Sequence, residues 1–209
     1  MGWQARWAGG LLAASLVGLG VANAYAAGTR PAVAVIDHFQ KTLLTVMKQG
    51  HRLGFKGRYK ALAPAVRASH NLPFIAKITL GPYWGRLSPS ERAAFVKTFG
   101  RLTIATYAAQ FTSYSGQRFQ ETAAHPIGRN DVLVETELMT HGHKRATLDY
   151  LVARGKAHWK IINIVANGVS DLALKRAQYT SIIRKKGFPA LLRTLRTKVA
   201  QLSRGGKAR

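Results

Sequence analysis

The 209-residue chain has no cysteine, which excludes a disulfide framework, a thiolate nucleophile and any metal site built on cysteine sulfur. Its redox compartment is therefore not written in its thiols. Acidic residues are almost as scarce: 8 Asp and Glu stand against 32 Lys and Arg, a net charge of +24. A surplus of that size has to meet something anionic, and nucleic acid, lipid headgroups and an acidic protein surface all qualify. After the first 26 residues no segment is apolar enough to span a bilayer, which takes about 20 apolar residues. Internal repeats and low-complexity linkers are absent. So are the G-x-S-x-G elbow and the P-loop, and the only G-x-G, Gly18 to Gly20, lies in the N-terminal apolar stretch.

What is present begins with 47% apolar residues and four tryptophans, enough for one good-sized folded domain. The N-terminus reads as a secretory leader. Arg6 supplies its positive end, Ala8 to Val21 its apolar run, and Ala22-Asn23-Ala24 and Ala24-Tyr25-Ala26 each offer a small-x-small cleavage site. We therefore expect residues 1–26 to be removed after Ala24 or Ala26, 27–203 to form a single domain and 204–209 to be a basic tail that frays. Export leaves a mature chain with 31 basic and 8 acidic residues, +23, and argues against nucleic acid as its partner. Anionic membrane surfaces and acidic partners remain.

The chain is organised around Ser88–Gly116, which reads as one long helix. Ser88 can cap it, Pro89 suits its first turn and Glu91 can close a capping box. At about 100° per residue, Phe95, Val96, Phe99, Leu102, Ile104, Tyr107 and Phe111 cover more than half its circumference, leaving Lys97, Thr98 and Arg101 for water. So wide an arc predicts a helix with a sheet on one side and helices on the other, or one walling an apolar cavity. Before it come a helix from Pro31 to Gly50, a second from Gly54 to His70 that Pro64 should kink or restart, a short helix over 71–81 and an aromatic turn at Pro82–Gly85.

After Gly116 the period changes to alternation. Strands are expected near 118–124, over 131–140 and 144–152 with a hairpin turn at His141-Gly142, and over 157–167, where both faces are apolar. On that last strand simple alternation puts Trp159, Ile161 and Val165 on one face and Ile162, Ile164 and Ala166 on the other. Ser170 or Asp171 then caps a helix reaching Gly187, and Pro189 opens the last one.

Candidates for chemistry are few. His141-x-His143 spans a hairpin tip with no third ligand in view and reads as a solvated turn. Glu135 and Glu137 alternate with the apolar face and read as solvent-facing or as partners for lysine and arginine. Asp149 is the acid expected to have a buried ion-pair partner.

The succession LPFIAKITLGPYWGRLSPSERAAFVKTFGRLTIATYAAQFTSYSGQRF, WKIINIVANGVSDLALKRAQYTSII and GFPALLRTL resembles the MlaC family of periplasmic phospholipid-binding proteins, most closely its hopanoid-associated branch, HpnM. Asn163 and Asn167 depart from a pattern that often has acids there. The resemblance implies an α+β, NTF2-like fold, with a curved antiparallel sheet of about four strands and a helical subdomain enclosing an apolar lipid pocket. It implies a carrier of phospholipid or hopanoid-type lipid, working with an inner-membrane ABC transporter and an outer-membrane lipoprotein complex, with no cofactor, metal or catalytic residue. Hiding acyl chains, at about 0.8 kcal/mol per methylene, calls for a wide apolar wall and no catalytic centre. The residues expected to line it are Phe74, Ile78, Trp84, Tyr107, Phe111, Tyr150, Ile162 and Ile164. An NTF2-like enzyme, which would need a histidine or carboxylate pointing into the cavity, and a cationic interaction module are the alternatives.

Overall fold

The structure, a computed structural model, describes residues 18–205, with side chains from Gly28 onward. Residues 1–17 of the expected leader and tail residues 206–209 lie outside what is described, whereas residues 18–26, with both expected cleavage points, form the start of the first helix. Helices α1 (Gly18–Lys48), α2 (Gly50–Ser69), α3 (Leu72–Leu80) and α4 (Pro89–Gln110) precede strands β1 (Gln117–Ile127), β2 (Asp131–Thr140), β3 (His143–Arg154), β4 (Trp159–Ala166) and β5 (Val169–Ser170). Helices α5 (Asp171–Lys186) and α6 (Phe188–Ser203) close the chain. No described helix is long and apolar enough to cross a membrane.

The strands form one open antiparallel meander in the order β1-β2-β3-β4-β5. Alternation on β2 and β3 buries Val132, Val134, Tyr150 and Val152, and α1 lays Ile36, Phe39 and Leu43 across them. One polar point interrupts this core. Gln40 Nε2 donates to Thr136 Oγ1 at 3.1 Å and to the Tyr150 hydroxyl at 3.3 Å, so the buried amide is satisfied rather than a penalty. On the outer face Lys144 pairs with Glu137 at 3.0 Å. Asp149 stands opposite Glu135 instead of a cation, and burial together with that like charge raises its pKa. The expected ion pair is thus replaced by two neighbouring acids.

A second core belongs to the helices. Phe95, Phe99 and Leu102 of α4 pack with Tyr179 and Ile183 of α5 and Leu191 and Leu195 of α6, and each buried aromatic contributes about 1.5–3 kcal/mol. The flanking helices of α4 are α2, α3 and α6, and α1 is the helix that spans the sheet from β1 to β4, with α2, α3 and α5 meeting it at β4. Helix α4 nonetheless joins the sheet-side core through Ile104 and Ala108, with Tyr107 and Phe111 packed alongside. Its start has the expected capping box, with the Glu91 N–H donating to Ser88 Oγ at 3.2 Å and the Ser88 N–H donating to Glu91 Oε2 at 2.8 Å.

Several local expectations are corrected. Helix α4 ends at Gln110, not Gly116, because Phe111 leaves helical geometry at ψ 72° and the chain needs 111–116 to reach β1. Thr98 is buried against the helical core, its hydroxyl donating back to the Ala94 carbonyl at 2.8 Å. The break in α2 falls at Gly54 and not at Pro64: Gly54 has φ 57° and ψ −177°, a region open almost only to glycine. Gly50 is fixed for another reason. A Cβ there would lie 1.8 Å from the Thr112 carbonyl oxygen, so only glycine lets the α1–α2 junction meet the end of α4. Arg58 clamps the same place, donating from Nε to the Ala108 carbonyl at 2.7 Å and from Nη1 to the Gly50 carbonyl at 2.8 Å.

Candidate functional site

Strand β4 carries a bulge that sets up the site. Tyr150 pairs with Ile164 and Leu151 with Asn163, but Val152 pairs with Ile161, so Ile162 is the extra residue. Simple alternation would put Ile161 and Ile164 on opposite faces. The bulge places both on the face of Tyr150 and Val152, and so overturns the parity expected from sequence.

Opposite this face stand Tyr107 of α4 and Phe111 just past its end, their ring centroids 5.9 Å from each other. Phe39 of α1 meets Tyr107 edge-on at 5.1 Å. Between sheet and helices lies a cavity of ≈ 220 Å³. Leu148, Tyr150, Ile161, Ile162 and Ile164 form its sheet wall, and Leu43, Leu72, Ile75, Phe99, Tyr107 and Phe111 its helical wall. Thr103, Thr106, Gln110, Asn163, Asp171 and Lys175 are its polar lining, and the last two form an ion pair one turn apart on α5.

Five of the eight residues expected to line a pocket border this cavity: Tyr107, Phe111, Tyr150, Ile162 and Ile164. The other three stand elsewhere. Phe74 is exposed on α3 and Ile78 is half-buried on the same helix. Trp84 belongs to the short 3-10 helix Gly81–Arg86, packs against the helical core and receives the Arg92 guanidinium over its ring at 5.5 Å. Short helices with apolar residues on several faces do not reveal which face meets a cavity.

The residue that sequence reasoning missed is His70. It ends α2, where the Asn71 N–H donates to the Ile161 carbonyl at 2.9 Å and ties the helix to β4. Its ring is buried in the cavity wall, edge-on to Phe39 at 5.0 Å. Ser69 Oγ gives its one proton to the Ala65 carbonyl at 2.7 Å, so at 2.8 Å it accepts from His70 Nδ1–H. Nε2 is left to accept from the Tyr107 hydroxyl at 3.1 Å. Burial, with Lys160 and Lys175 adding to it, lowers the His70 pKa to about 3, although the Val66 carbonyl opposes the shift. Burial also holds the Tyr107 hydroxyl well above the usual tyrosine range and Tyr150 at about 12. The histidine that an enzyme in this fold would require is therefore present but neutral, with both nitrogens committed to neighbours. His141 and His143 remain exposed at the β2–β3 turn, and the described residues contain no cluster of three His, Cys, Asp or Glu able to hold a metal.

The open antiparallel sheet and the helices that cover it leave between them a part-open, mostly apolar concavity of the kind in which apolar ligands bind. The family model "MlaC protein" matches residues 37–197, and the chain belongs to the MlaC family. A curated relative, the intermembrane phospholipid transport system binding protein MlaC of Haemophilus influenzae, is 27% identical over 135 residues; the alignment spans 63% of this chain and 63% of the relative's length. Among solved structures, a phospholipid-binding protein of Ralstonia solanacearum, determined in complex with a phospholipid, superposes with a TM-score of 0.72 at 20% identity. That match covers 84% of this chain and 98% of the other. It establishes the shared fold.

Proposed function

We propose that this chain is a lipid carrier that takes phospholipid acyl chains into the cavity between α4 and the sheet. The observation that carries the reading is the wall itself, aliphatic on β3 and β4, aromatic at the end of α4, with its one buried histidine kept neutral by burial and bonded to Ser69 and Tyr107. The family match and the phospholipid named for both the curated relative and the structural neighbour point the same way. At ≈ 220 Å³ the cavity is smaller than the roughly 300–1,000 Å³ of ordinary ligand pockets, so loading moves its walls apart. Each methylene received recovers about 0.8 kcal/mol, which works against the cost of that movement.

On this reading the leader delivers the chain to the periplasm, the 27–203 domain shuttles lipid between inner and outer membranes, and an ABC transporter and an outer-membrane lipoprotein complex are its docking partners. No step is catalytic. The test is the variant Tyr107→Ala/Phe111→Ala. In a filled core each change would cost about 3–5 kcal/mol and together they would unfold the domain. At a cavity wall the loss is well below that, and lipid retention falls more than melting temperature. Unfolding of the delipidated variant returns both residues to the core, and a stable variant with undiminished lipid removes them from the site. Loading the wild type in parallel with a phospholipid and a hopanoid-type lipid decides between the two cargoes implied by the sequence resemblance.

A further inference from the structure

A second concavity lies across His70 and Leu72 from the apolar cavity, and these two residues border both. It measures ≈ 670 Å³ and runs between the end of α2, the start of α3, the Val96–Ile104 face of α4 and the Gly155–His158 turn that joins β3 to β4. Leu72, Pro73, Val96 and Ile104 make its floor apolar. Its rim is cationic: Arg67, Lys97, Arg101, Lys156 and Lys160 are five of the fifteen lining residues, twice the share expected from 32 basic residues in 209. No aspartate or glutamate is among the fifteen. Five of the eight acids, Glu121, Asp131, Glu135, Glu137 and Asp149, lie on β1 to β3 instead. The ion pairs among the described residues, Lys144–Glu137 and Lys175–Asp171, use none of the groove's cations. The framework is tied down, with Lys160 Nζ donating to the Arg67 carbonyl and the Gly155 N–H to the His158 carbonyl, both at 3.0 Å.

Gathered cations with no counter-charge repel one another, and a concave apolar floor between them strengthens their attraction for an anion. A free inorganic anion would use the rim and leave the floor bare. A neutral lipid would use the floor and leave the rim unpaired. We propose that this groove is a second lipid site, which holds the anionic headgroup of a phospholipid on its basic rim and the adjoining part of an acyl chain on the Leu72–Ile104 floor. That the amphiphile is a phospholipid rests on the carrier reading of the neighbouring cavity.

Calorimetry on the delipidated mature chain tests this with three soluble probes: dihexanoylphosphatidylglycerol, dihexanoylphosphatidylcholine and inorganic phosphate. The anionic lipid should fill one more site than the zwitterionic one, and that extra site should weaken as salt rises. In Lys97→Gln/Arg101→Gln/Lys156→Gln, where all three side chains are exposed, the extra site should weaken by about tenfold, whereas Lys97→Arg/Arg101→Lys/Lys156→Arg should keep it. Equal stoichiometry for the two lipids, unmoved by the triple substitution, overturns the proposal. So does inorganic phosphate binding the rim as tightly as the lipid. Failure of the carrier reading looks different: phosphatidylcholine would not bind at all, while an anionic-lipid site sensitive to the triple substitution would leave the groove standing.

Discussion

His70 and Asp149 show opposite uses of burial. His70 is neutral in the folded protein down to about pH 3, whereas the unfolded chain takes up that proton near pH 6.5. Its contribution to stability is therefore fully present above pH 6.5 and is lost as pH falls toward the folded value, at up to about 1.4 kcal/mol per pH unit. Urea unfolding between pH 6.5 and 5, above the usual carboxylate range, should show this slope in the wild type and a slope shallower by one proton in His70→Gln. Asp149 runs the other way. Its pKa is raised by burial and by Glu135, so its charge destabilises the fold at neutral pH and the penalty vanishes once it is protonated. Asp149→Asn should raise the melting temperature at pH 7 and lose that gain in acid; an unchanged melting temperature at pH 7 would mean that solvent screens the pair. Tyr107→Phe removes the donor to His70 Nε2 and should cost about 1–3 kcal/mol, the penalty of leaving a buried acceptor unpaired.

At the scale of elements, the fold rests on a few forced contacts between helix ends. Gly50→Ala would drive a methyl group into the Thr112 carbonyl, a backbone atom that cannot swing aside. We expect more than about 2 kcal/mol lost, as overpacking at a rigid contact costs 1–3 kcal/mol or more. Gly54→Ala meets no neighbour and should cost only the conformational strain, about 1–3 kcal/mol. Denaturant unfolding of the two variants separates steric from conformational demand. These junctions also mark where the sequence stopped being legible. The capping box of α4, the His141-Gly142 turn and the alternation of β2 and β3 are local, and they could be read. The stop of α4 at Gln110 follows from the route of 111–116 to β1. The shared face of Ile161 and Ile164 follows from a one-residue bulge set by pairing with β3, and His70 is held at the cavity where Asn71 bonds to Ile161. Nothing within a short window of sequence encodes those long-range constraints. Tyr107 and Tyr150 border the cavity because they lie on long elements whose neighbours follow from periodicity, whereas Phe74, Ile78 and Trp84 lie on a short helix and a turn whose facing does not, and the bulge decides where Ile161, Ile162 and Ile164 fall.

For the molecule as a whole, charge and cavity divide the work. The carboxylates gather on the sheet and the cations spread over the helices and the groove. Residues 27–209 carry +23 and should therefore approach anionic vesicles faster than neutral ones, and the difference should collapse as salt shortens the screening length to about 8 Å near physiological strength. Equal association with both vesicle types across a salt series would assign the charge to something other than membrane approach. The central claim is that the cavity holds lipid, and native mass spectrometry of the protein purified from cell envelopes tests it most directly. The account predicts a bound mass equal to a phospholipid, retained by wild type and depleted in folded Tyr107→Ala/Phe111→Ala. A wild-type spectrum showing only the bare polypeptide, or lipid retained equally by both, would contradict it.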